Sequence, residues 1–102
     1  MEATKFPGIK PPAPGAAIRL QGEGVAIAVF NVEGQLLAVD AKCTHVGGPL
    51  EKGLVANRII TCPWHGSQFD LQTGHVVRGP AVKPIVSYRV QVDPDGITIA
   101  PS

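Results

Sequence analysis

Apolar residues in this chain fall in short runs, most of them closed by Gly, Pro, Asn or Asp. Val86, Tyr88, Val90 and Val92 alternate with Ser87, Arg89, Gln91 and Asp93, the period-two pattern of a strand with one buried face. Asp93-Pro94-Asp95-Gly96 then reads as a turn, and Ile97-Thr98-Ile99 as the returning partner strand. Upstream, Ala16–Gln21, Val25–Val32 and Gln35–Asp40 predict three more strands, with Glu33-Gly34 as a two-residue hairpin turn. In the middle, Leu54–Ala56, Arg58–Thr61, Gln68–Leu71 and His75–Val77 are shorter candidates, separated by Asn57 and by Gln72-Thr73-Gly74. The opening segment, through Pro7, Gly8, Pro11, Pro12, Pro14 and Gly15, is too rich in proline for a helix and predicts an extended arm. No window carries the periodicity of a helix of about ten residues or more. The pattern therefore predicts an all-β fold of short antiparallel strands.

A length of 102 residues is that of one domain. With 3 Phe, 1 Tyr and 1 Trp, the core must rest on Val, Ile, Leu and Ala. Twelve Gly and 10 Pro lie between apolar runs and not in tracts, so they punctuate turns. A net charge of +1 gives no general attraction to nucleic acid or to an anionic membrane. The longest apolar run, Val25–Phe30, is far short of the roughly twenty residues of a membrane helix. Residues 1–7 lack the apolar stretch of a secretory signal, so a cytoplasmic location is expected. One division is visible within residues 1–102: the middle, roughly 41–84, holds both cysteines, all three histidines and the only Trp. Residues 1–40 and 85–102 would then form a base, and 41–84 a small, loop-rich tip.

Cys43-Thr44-His45 and Cys62-Pro63-Trp64-His65 carry the chemistry. Each offers one soft thiolate and one imidazole close enough for a single loop to present both to a metal. A disulfide would explain the cysteines but leave the two matched histidines without a purpose. Two cysteines and two histidines also satisfy a structural tetrahedral zinc ion.

The longer pattern is Cys-x-His, sixteen residues, then Cys-x-x-His, with Gly66 and the pair Phe69-Asp70 following and Gly79-Pro80-Ala81 further on. It resembles the Rieske [2Fe–2S] family, and the resemblance spans nearly the whole chain. It implies that Cys43 and Cys62 hold one iron, and that His45 and His65 hold the other through Nδ1. It also implies that Gly79-Pro80-Ala81 forms a third loop beside the cluster. With neutral imidazoles as two of its four ligands, such a cluster is less negative than an all-cysteine one, so it accepts an electron more readily. Around these ligands Gly47, Gly48 and Gly66 are expected to permit tight turns and to let N–H groups approach sulfur, unless they are ordinary turn glycines. Trp64 is expected to cover the cluster, or else to anchor the tip.

Against the respiratory branch of the family, Gly48 and Trp64 stand where that branch carries two further, disulfide-linked cysteines. Ser67 stands at the family's Ser position, and Phe69 replaces a Tyr. A hydroxyl donating to sulfur stabilises the reduced state, so the loss of one predicts a potential in the lower half of the family range. The resemblance implies a one-electron carrier that takes electrons from a reductase and gives them to a terminal oxygenase, such as a ring-hydroxylating dioxygenase. The small Rieske subunit of a nitrite-reductase-like complex is the alternative within the fold. A structural zinc-binding interaction module and a redox sensor are the alternatives outside it. No nucleophile–base arrangement or nucleotide fingerprint suggests that the chain is itself an enzyme. Residues 40–83 carry an excess of two positive charges. Solvated charges without a role explain this first, and a mildly acidic partner surface second. His75, without a cysteine neighbour, reads as a surface imidazole.

Overall fold

A computed structural model describes residues 3–22, 24–45 and 47–102 of the chain. Glu2 and Glu23, which count among the charges of the flanks, lie outside these residues, as does Val46 in the first Cys-His loop. The strands are β1 (Thr4–Pro7), β2 (Ala17–Gly22), β3 (Val25–Val32), β4 (Gln35–Asp40), β5 (Leu54–Ala56), β6 (Ile59–Thr61), β7 (Gln68–Asp70), β8 (Val76–Arg78), β9 (Ser87–Asp93) and β10 (Gly96–Pro101). They form two antiparallel sheets, of order β1-β10-β9-β4-β3-β2 and β5-β6-β7-β8. Among the described residues the only helical element is a 3₁₀ turn at Leu50–Lys52, which the apolar pattern does not announce.

Hairpin chemistry sets the registers. Glu33 and Gly34 both have positive φ, which matches the right-handed twist of β3 and β4 and pairs Val32 with Gln35. Asn57 and Arg58 do the same between β5 and β6, where Ala56 faces Ile59, so Arg58 belongs to the turn and not to the predicted strand. The start of the chain is also more ordered than an extended arm: Thr4–Pro7 pair with Gly96–Ile99 as an edge strand.

Strand β3 explains the long apolar run. Ala28 and Phe30 point into a core shared with the second sheet, while Ile27 and Val29 point into a core enclosed by the first. Both faces are buried, so the alternation disappears. In β9 the predicted alternation is only partly used, since Val92 is 51% exposed.

The second sheet and its loops leave the first sheet after Asp40 and return at Ser87, and these two ends are neighbours. Val39 pairs with Ser87 and Ala38 with Tyr88. Asp40 fastens this neck. Its backbone N–H donates to the Val86 carbonyl at 2.9 Å, and its carboxylate accepts from Val86 N–H at 3.1 Å and from the Tyr88 hydroxyl at 2.6 Å. Arg19 on β2 adds a second tie, to Glu51 in the 3₁₀ turn at 3.1 Å.

Burial first, and the Asp40 carboxylate second, push the Tyr88 phenol well above its ordinary range. The folded state thus holds the phenolic proton more tightly than the unfolded chain does. The resulting stability is complete below about pH 10 and is lost as the pH rises above it. Tyr88→Phe is expected to cost about 1–3 kcal/mol at neutral pH, because Asp40 loses a donor. Denaturant titrations of the parent and the variant should converge above about pH 10; a constant gap would show that the phenol is not linked to folding.

Candidate metal centre

Two six-residue loops of the same construction carry the four candidate ligands. In the first, Cys43 N–H donates to the Gly48 carbonyl at 2.9 Å; in the second, Cys62 N–H donates to the Ser67 carbonyl at 2.8 Å. Each loop is thereby closed at its base, with its cysteine at the first position and its histidine two or three residues further on. Each sulfur accepts a backbone N–H from two residues along the chain: His45 N–H to Cys43 Sγ at 3.5 Å, and Trp64 N–H to Cys62 Sγ at 3.4 Å. Gly47 N–H donates to the Cys43 carbonyl at 2.9 Å.

Both cysteines are free thiols, buried to 3% and 1% exposure in the core shared by the two sheets. A disulfide between them is thus set aside. Burial pushes the Cys62 thiol up; the Trp64 N–H opposes that shift and the adjacent Cys43 thiol adds to it. Two neighbouring sulfurs kept from water are poor places for negative charge unless a strongly positive centre meets them. The imidazoles stand the other way. His45 and His65 are exposed, with ring centroids 5.3 Å apart and planes at 80°. His65 reaches its position through a positive φ of 72°, followed by Gly66 at 78°, a left-handed pair that is uncommon for a residue with a Cβ. The donor set is therefore two thiols facing the core and two imidazoles facing solvent. Among the described residues, no group of three or more His, Cys, Asp or Glu gathers around one ion position. A neighbouring pair of thiols and a neighbouring pair of imidazoles fit a two-iron group whose irons take unlike donor pairs.

The surrounding residues lock the loops together. Gly48 is buried, and a Cβ built on it would lie 2.6 Å from Cys62 Sγ and 3.2 Å from Trp64 Cβ, so the first loop packs on the second only without a side chain there. Trp64 lies against Gly48 and remains 49% exposed. Ser67 is fully buried and accepts the Ala81 N–H at 3.0 Å, drawing the segment after the cis Gly79–Pro80 bond onto the second loop. Phe69 is fully buried on β7, opposite Ile60 and within the same core as both cysteines. His75 is exposed and takes no part.

Sequence reasoning missed two residues. Thr44 Oγ donates to the Lys83 carbonyl at 2.7 Å and so ties the first loop to the third. Asp40 holds the neck. The only available signal for Thr44 was a hydroxyl between two ligands.

A family model described as the Rieske [2Fe-2S] domain matches residues 10–89. The chain is 34% identical over 79 residues to the ferredoxin component of the naphthalene 1,2-dioxygenase/salicylate 5-hydroxylase systems of a Ralstonia species, covering 78% of this chain and 76% of that one. Among solved structures, the ferredoxin of carbazole 1,9a-dioxygenase from Nocardioides aromaticivorans superposes with a TM-score of 0.84 at 27% identity, covering 97% of this chain and 99% of that one. A complex of reduced oxygenase and oxidized ferredoxin in carbazole 1,9a-dioxygenase matches with a TM-score of 0.83 at 28% identity, over 96% of this chain and 92% of that one.

Gly48→Ala tests the packing of the loops. Overpacking of this kind costs about 1–3 kcal/mol, and here it falls on Cys62. Iron and acid-labile sulfide per chain should drop well below those of the parent, whereas Gly22→Ala, on β2, where a Cβ would meet Phe6 at an ordinary 3.5 Å, should keep both.

Proposed function

Because the chain belongs to the Rieske [2Fe–2S] domain family, we propose that it is a one-electron carrier, the ferredoxin component of an oxygenase system, and not itself an enzyme. The carrying observation is the pair of matched loops, each presenting a buried thiol and an exposed imidazole, in a chain whose relatives are ferredoxin components of dioxygenase systems. We assign Cys43 and Cys62 to one iron and His45 and His65 to the other. Residues 41–84 are taken as the cluster-binding part of a single Rieske domain, with 1–40 and 85–102 as its base. When bound, the cluster takes up and releases one electron, at potentials between about −150 and +300 mV in this class.

The chain's own residues hold and tune that group. The N–H donors of His45 and Trp64 partly offset the charge of the two sulfurs. Ser67 already accepts the Ala81 N–H, which leaves its own proton free for a sulfur acceptor. Phe69 brings no such proton. The electron source on this reading is a reductase, and the acceptor is a terminal oxygenase of the ring-hydroxylating kind. Among the described residues no helix is long and apolar enough to cross a membrane, and a cytoplasmic location is part of the proposal.

Reduction with dithionite should give an EPR spectrum whose average g-value lies below that of an all-thiolate cluster. A colourless protein containing zinc would refute the assignment. Ser67→Ala should lower the potential and Phe69→Tyr should raise it, from a parent value expected between about −150 and +75 mV. Voltammetry in which neither variant moves would remove these side chains from the tuning.

A further inference from the structure

Tyr88 is the only tyrosine of the chain, and Trp64 the only tryptophan. Tyr88 stands on β9 at the neck, away from the paired Cys-His loops, with its hydroxyl donating to Asp40 Oδ1 at 2.6 Å. Asp40 Oδ2 accepts the Val86 N–H at 3.1 Å, so both carboxylate oxygens are engaged and Oδ1 is kept for the phenol. Both side chains are half-buried, and the tyrosine packs on the core that contains Ile97 and Ile99. With Gln21, Val25 and Lys42 they also line a surface cavity of about 410 Å³. Lys42 is the other charged residue of that lining among the described residues, and an ammonium cannot accept a proton. The carboxylate is therefore the base within reach of the phenol.

A phenol that loses an electron and keeps its proton becomes a cation, which burial disfavours. At the neck the proton has only to cross an existing hydrogen bond. One electron leaves the Tyr88 phenol, its O–H bond breaks, and the proton joins Asp40 Oδ1. The products are a neutral tyrosyl radical and a neutral carboxylic acid. The pair thus passes from one negative charge to none, and half-buried surroundings favour that change. An exposed tyrosine without such a partner must give the same proton to water or to a buffer base.

We propose that Tyr88 is a second redox site of this chain, a one-electron donor to high-potential metal complexes, with Asp40 as its proton acceptor. Asp40 precedes Cys43 by three residues, so their Cα atoms lie no more than about 11 Å apart. The site thus offers a strong oxidant an electron source near the two sulfurs and separate from them. It asks nothing of the cluster, so an iron-free preparation would strike the carrier reading and leave this inference standing.

The test uses the oxidised holoprotein and photogenerated tris(bipyridine)ruthenium(III), which takes one electron and becomes the ruthenium(II) complex. Transient absorption and EPR should show a tyrosyl radical in the parent and none in Tyr88→Phe. Its rate of formation should stay constant as the buffer base is raised about tenfold, because the proton acceptor is internal, and should fall in deuterium oxide. Asp40→Asn keeps an acceptor oxygen but supplies no base, and should slow formation about a hundredfold, within the range a positioned base contributes. Asp40→Glu should recover most of that loss, which a purely structural role for Asp40 would not require. A rate that grows in proportion to buffer base, an Asp40→Asn rate equal to the parent's, or a radical confined to Trp64 overturns the proposal. Should Asp40→Asn fail to fold, the buffer and isotope measurements on the parent decide the matter.

Discussion

Two sulfur atoms held next to each other, away from water, are the constraint that the rest of this structure answers. A thiolate in such a place is costly unless hydrogen-bond donors and a positive centre compensate for it. The protein supplies the donors from the backbone: one N–H reaches each sulfur from two residues downstream, and a bond across the base of each loop keeps that N–H in place. Because these are main-chain groups, their positions depend on loop shape and not on particular side chains. The side chains that do matter are those that let the loops touch: none at Gly48, a small hydroxyl at Ser67, a Thr at 44.

The same constraint accounts for the architecture around the site. The aliphatic core that contains Cys43 and Cys62 also contains Phe30 and Val39 from the larger sheet and Ile60 and Phe69 from the smaller one. Both cysteines are thus members of the packing that joins the sheets, and the two loops cannot shift without disturbing it. A second core, of Leu20, Ile27, Val29, Ala38, Ile97 and Ile99, lies within the larger sheet and stiffens the base independently. Asp40, at the neck between the two, serves both, since one carboxylate receives the N–H of the returning chain and the hydroxyl of β9.

What the sequence made legible follows from how local each signal is. The Glu33-Gly34 hairpin, the all-β class and the paired Cys-His loops are written in adjacent residues and can be read without tertiary knowledge. Burial on both faces of β3 is not local, so its apolar run reveals a strand but not the two cores it serves. Pairing of Thr4–Pro7 with β10 joins the two ends of the chain, and nothing within a Pro-rich segment announces it. Arg58 at positive φ illustrates the opposite failure, because a turn that prefers Asn-Gly is here made by Asn-Arg, and propensity alone assigns the second residue to a strand. Thr44 and Asp40 act through hydrogen bonds spanning tens of residues, which no spacing rule encodes.

Burial also gives the site a direction. The thiols face the core, and the imidazoles face the solvent across a cap that contains Val82 and Trp64. The imidazole side is the open one, because the other side is filled by the packing that joins the sheets. The side that must keep its charge out of water is the side enclosed by rigid strands. The exposed side is built from loops, whose surface residues can vary without disturbing the sulfur environment. Separating the two sides in this way lets the buried sulfur environment stay fixed while the exposed surface varies.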